Sequence, residues 1–98
     1  MDWFAVRHVI ENEGAFEERV TLWRACSEDE AIARAEAEAA EYTAVVGGNA
    51  LGLFQCYRLP EAPADGQEAF SLIRRSDLAA EQYLDAFFDT GQELQRTE

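Results

Sequence analysis

Trp3-Phe4-Ala5-Val6-Arg7-His8-Val9-Ile10, then Glu11-Asn12-Glu13-Gly14, then Phe16 to Ala25: the reading of this stretch decides the fold. The first run is rich in aromatic and β-branched residues, which suit a pleated surface. The polar run that follows supplies turn residues and a glycine able to take positive φ. Phe16 to Ala25 then alternates, with Phe16, Val20 and Leu22 on one side and Arg19, Thr21 and Trp23 on the other. Two strands around a short polar turn make an antiparallel pair. Phe4, Val6, Ile10, Phe16, Val20 and Leu22 are expected to face helices, leaving Trp3, Val9, Arg19 and Trp23 on the opposite side, with Ile73 joining them.

Downstream, Ser27-Glu28-Asp29-Glu30 has the pattern of a capping box, in which Ser27 accepts from a free backbone N–H and Glu30 reaches back. Three acids in the first turn complement the helix dipole. The spacing predicts a helix from about Glu28 to Val45, with Ile32, Ala35, Ala39, Tyr42 and Val46 near one stripe and Glu30, Arg34 and Glu38 along a solvated side. Gly47-Gly48-Asn49 stops it.

Leu51 to Leu59 reads as a third strand, apolar on both faces and so of undetermined orientation, and Pro60 closes it. Glu61 to Gln67 is a loop, and Ala69 to Arg74 reads as a fourth strand. Ser76 or Asp77 is expected to cap a last helix from about Leu78 to Asp89, with Tyr83, Leu84, Phe87 and Phe88 turned inward. The tail from Gln92 to Glu98 is polar and expected to fray. The expectation is an α+β fold of order ββαββα: a four-stranded, mainly antiparallel sheet with two helices packed against it. All 98 residues form a single domain with its folded core at about 3–91.

Twenty acidic side chains oppose eight basic ones, a formal net charge of −12. Such a field repels phosphate backbones and anionic lipid, so neither nucleic acid nor a membrane is the expected partner. Every basic residue is Arg. Its planar fork suits carboxylates and phosphates, but coding-DNA composition produces the same bias and is the plainer account. No signal peptide or membrane span is read from the sequence, and a cytoplasmic location is expected.

Several of these segments, Trp3 to Arg7, Glu17 to Ala25 and Glu30 to Glu36, resemble the bacterial 4288 family of domains of unknown function. Leu51 to Tyr57, Phe70 to Arg74 and Tyr83 to Asp89 extend the resemblance from Trp3 to about Gly91. What it implies is a small stand-alone domain with no assigned activity.

Little here carries catalysis. His8 is the sole histidine and shares its side of the strand with Phe4, Val6 and Ile10, so a core histidine with a satisfied hydrogen bond is the expectation. Cys26 and Cys56 match no zinc or redox spacing, and one histidine with two distant thiols makes no metal site. No catalytic residue, metal or cofactor is expected. Two function classes remain. One is a non-catalytic interaction domain, a homodimer or the acidic partner of another protein (a toxin-neutralising antidote is one form), using Trp3, Arg19, Trp23 and Ile73. The other holds a small anion, for binding or catalysis, with Arg7, Arg19 and Arg58.

Overall fold

In the computed structural model, which describes residues 1–94, the N-terminal hairpin is the frame on which the rest is built. β1 (Asp2–Asn12) and β2 (Ala15–Ala25) pair antiparallel along their whole length. Only Glu13 and Gly14 separate them, both at positive φ, 52° and 82°, as a tight two-residue hairpin turn requires. That turn fixes the register: Asn12 faces Ala15, so His8 faces Arg19, Val6 faces Thr21 and Phe4 faces Trp23.

α1 (Glu28–Val46) crosses one face of this hairpin. The Ser27 hydroxyl accepts from Glu30 N–H at 3.1 Å, as the capping pattern predicts. The return arm differs, because the Glu30 carboxylate takes the Cys26 N–H at 3.4 Å. Ala31, Ala35 and Ala39 are fully buried and let the helix lie close to the sheet. Ala31 and Ala35 cluster with Phe4, Val6 and Ala25, and the half-buried Trp23, Phe54 and Cys56 pack against them. Burying side chains the size of Phe4, Val6 and Ile10 stabilises by about 1.5–3 kcal/mol each.

At its C-terminal end the helix stops on Gly47, whose N–H reaches Thr43 O at 2.8 Å. Gly48, at φ 88°, lies so near β1 that a Cβ would stand 2.6 Å from the Glu11 carbonyl oxygen. That close approach delivers the chain to the far edge of β1. β3 (Asn49–Ala50) pairs with Ile10 and Glu11, and β4 (Gln55–Arg58) pairs with Arg7 back to Phe4. The two are successive pieces of one broken edge strand, both antiparallel to β1. Of the third strand expected at Leu51 to Leu59, only Gln55–Arg58 is strand, and β3 precedes its expected start; in the break at 51–54 Phe54 stacks on the His8 ring, centroids 4.8 Å apart and planes 9° apart.

The fold is α+β, a four-stranded antiparallel sheet with two helices in the order ββαββα. Two further elements differ from expectation. Ala69 to Arg74 forms no strand; Phe70 rests on the sheet, edge-on to Tyr57 at 6.0 Å, and the Ser71 side chain hydrogen-bonds Tyr57. The last helix shrinks to α2 (Ala80–Tyr83), continued by a π-helical turn, Leu84–Phe88. Neither Ser76 nor Asp77 is its N-cap; that position is Ala79, which has no side chain able to accept. This helix does not pack on the sheet. It touches no strand and not α1, and Leu84, Phe87 and Phe88 are exposed where inward-facing residues were expected. Arg74 holds it locally, against the Tyr83 hydroxyl at 3.4 Å and the Phe87 ring at 5.3 Å. From residue 95 on, the expected frayed tail lies outside the described residues.

Candidate functional site

The hairpin register decides which side chains α1 covers. Phe4, Val6, His8 and Ile10 lead one face of β1, and their partners Trp23, Thr21, Arg19 and Glu17 go with them. The side expected to be open on β2 is therefore the covered one, and Phe16, Val20 and Leu22 are on the open face. Arg19 organises the covered polar end. Its guanidinium donates to both carboxylate oxygens of Glu38, at 3.0 and 2.9 Å, and lies 3.8 Å from the Tyr42 ring centre. Tyr42 in turn donates to the Glu17 carboxylate. Such bidentate, stacked contacts suit Arg and would not suit Lys.

His8, 1% exposed, sits beneath this network. Arg19 Nη1 approaches its Nε2 at 3.3 Å, which makes Nε2 the acceptor and places the proton on Nδ1. Nδ1 has no hydrogen-bond partner among the described residues, so only half of the expected satisfaction is met. Burial, and then the Arg19 charge, push the His8 pKa below its ordinary value, against a smaller upward pull from Glu38 and Glu17. The buried imidazole thus has its Nε2 taken by Arg19, which is itself held by Glu38. This network joins sheet to helix.

The open face is different. Arg7 forms an ion pair with Glu18 at 2.7 Å and extends over Phe70 at 5.5 Å. Phe70 also lies against Tyr57, so this segment covers the β4 side. On the β2 side Phe16, Val20 and Leu22 remain 63%, 46% and 42% exposed. Next to them a depression of about 420 Å³ is lined by Trp3, Arg24, Leu59 and Pro60, among others.

Of the residues expected to form one interaction face, Trp3 alone is on the open side. Arg19 and Trp23 are under α1, with Arg34 stacked 5.0 Å from the Trp23 ring and Trp23 Nε1 donating to Thr21 Oγ1 at 2.7 Å. Ile73 is 94% exposed in the segment before α2 and belongs to no strand. The three arginines proposed to converge on an anion do not converge. Arg7 is on the open face with Glu18, Arg19 on the covered face with Glu38, and Arg58 at the edge with Asp2. Each already holds a carboxylate.

Glu38, expected along the solvated side of α1, instead faces the sheet. Tyr42 is on the stripe where it is expected, whereas Glu17 and Glu38 are polar partners that hydrophobicity does not point to. Counting register from the Glu13-Gly14 turn identifies Glu17, and positions 35, 38, 39 and 42 share one helix face. Both thiols are free: Cys26 is exposed, whereas burial pushes the half-buried Cys56 thiol up and keeps it protonated. Among the described residues no cluster of three metal-ligating side chains occurs, and no helix is long and apolar enough to cross a membrane. No family model, curated protein or solved structure matches the chain.

Proposed function

We propose that this chain is a small non-catalytic protein-interaction domain that binds protein through the open face of its sheet, on the β2 side. The observation that carries this reading is the row Phe16, Val20 and Leu22, left exposed on a regular strand while Phe70 covers the other side of the same face. A chain of 98 residues has little apolar surface to spare, so a row of this kind on its most regular element calls for a partner. Trp3 and Arg24 at its end are side chains that dominate interface energetics.

The anion-holding alternative has less support, because Arg7, Arg19 and Arg58 are separately neutralised. A cytoplasmic setting, avoidance of nucleic acid at a net charge of −12, and kinship with the 4288 family belong to the same proposal. Paired Phe16→Asp and Leu22→Asp substitutions test it. Native mass spectrometry of the protein recovered from its own cells should show an associated protein in the parent and none in the variant, with circular dichroism unchanged. Retention of the same partner by the variant would remove the reading.

A further inference from the structure

β2 is an end strand: it pairs with β1 on one side and, among the described residues, with no strand on the other. End strands are commonly blunted by proline, bulges, shortness or charged side chains. β2 has no proline or bulge and runs eleven residues in unbroken register; it does carry charge, and on its open face Glu18 and Arg24 are of opposite sign. Its outward groups can be assigned. The Trp3 and Val9 carbonyls accept from Leu59 and Leu51, so odd residues of β1 bond toward β3 and β4 and even ones toward β2. The register then leaves the backbones of Phe16, Glu18, Val20, Leu22 and Arg24 facing outward. Arg34 Nη1 donating to the Arg24 carbonyl at 2.7 Å from outside the sheet agrees, and a carbonyl has a second lone pair to offer.

We propose that β2 pairs antiparallel with β2 of a second copy about a two-fold axis at Thr21, joining two four-stranded sheets into one. This rests on the interaction reading above and names its occupant. Charge is complementary along the edge. Among pairings that bring outward groups together, only the one centred at Thr21 sets Glu18 of one copy opposite Arg24 of the other, and it does so twice. The same centre sets Val20 opposite Leu22, also twice. A centre at Val20 would put Glu18 against Leu22, and a centre at Glu18 would oppose like charges. Arg24 forms no ion pair within its own chain among the described residues, whereas Glu18 already holds Arg7 through Oε1 at 2.7 Å and has its 63%-exposed carboxylate's other oxygen to offer. The two-fold is perpendicular to the sheet, so both α1 helices lie on one face and both exposed rows merge into one strip on the other. Each copy carries −12, so the pairing acts at contact and against long-range repulsion, which salt screens beyond about 8 Å at physiological ionic strength.

The test is sedimentation equilibrium of the purified chain at physiological salt, in the parent, Glu18→Arg, Arg24→Glu and the double variant, with circular dichroism reporting the fold. The parent should weigh twice its 11.0 kDa. Each single reversal should weaken association at least about tenfold, by the energy of two opposed pairs. The double variant has the parent's net charge and restored complementarity, and should dimerise again. A parent that stays monomeric, single variants that dimerise as the parent does, or a double variant that stays monomeric overturns the β2 pairing. Those results leave the open-face reading to the partner found in cells, which Phe16→Asp with Leu22→Asp probes separately.

Discussion

Arg19 on β2 and Glu38 on α1 meet through two hydrogen bonds, 3.0 and 2.9 Å long, and this is the main polar tie between sheet and helix. Both side chains are largely shielded, so removing one partner leaves a charge poorly compensated. Glu38→Ala is expected to cost about 1–3 kcal/mol in urea unfolding. Arg19→Met combined with Glu38→Met should recover part of that loss, because no unpaired charge then remains beneath α1.

His8 gives the fold a pH dependence of definite sign. Its folded-state pKa is below the ordinary 6.5, so the unfolded chain takes up the proton first. The stability it contributes is complete above about pH 6.5 and declines as pH falls through and below that value. Unfolding midpoints followed from about pH 7 to about pH 5, above the range where ordinary carboxylates titrate, should decrease in the parent. They should be nearly flat in His8→Leu.

Gly48 is held where no side chain fits, by its φ of 88° and by the Glu11 carbonyl oxygen 2.6 Å from any added Cβ. Gly48→Ala is expected to destabilise by about 1–3 kcal/mol and to loosen β3 from β1, read as faster amide exchange at Leu51. Gly52, with nothing within 4 Å of its Cβ position, should accept alanine with far less effect.

Phe16→Ser separates stability from association. Phe16 is 63% exposed, so its loss should move unfolding stability by no more than about 0.5 kcal/mol. Partner binding should nonetheless weaken. A large stability loss would mean that Phe16 belongs to the core.

The sequence carried the fold class, the hairpin, the helix with its Ser27 cap and its Gly47 stop. It also carried the covered side of β1, because Phe4, Val6 and Ile10 alternate cleanly. The covered side of β2 is not legible in hydrophobicity, because Phe16, Val20 and Leu22 resemble Phe4, Val6 and Ile10 in character but not in register. Pairing follows turn length, and the two-residue turn places Trp23, Thr21, Arg19 and Glu17 beneath α1 whatever their polarity. The interaction residues Arg19 and Trp23 were displaced by that same inversion. Ala69 to Arg74 has the side chains of a strand, but a strand also needs a neighbouring backbone, which no local pattern reveals. The last helix lacks a capping side chain and a packed face, and a helix this short is marginal without either.

The most direct measurement is photo-crosslinking in the source cell, with a benzophenone side chain placed at Phe16 on the open face or at Ala40 on the exposed side of α1. The account predicts a discrete protein adduct from position 16 and none from position 40. Equal labelling from both positions, or labelling from position 40 alone, would contradict it.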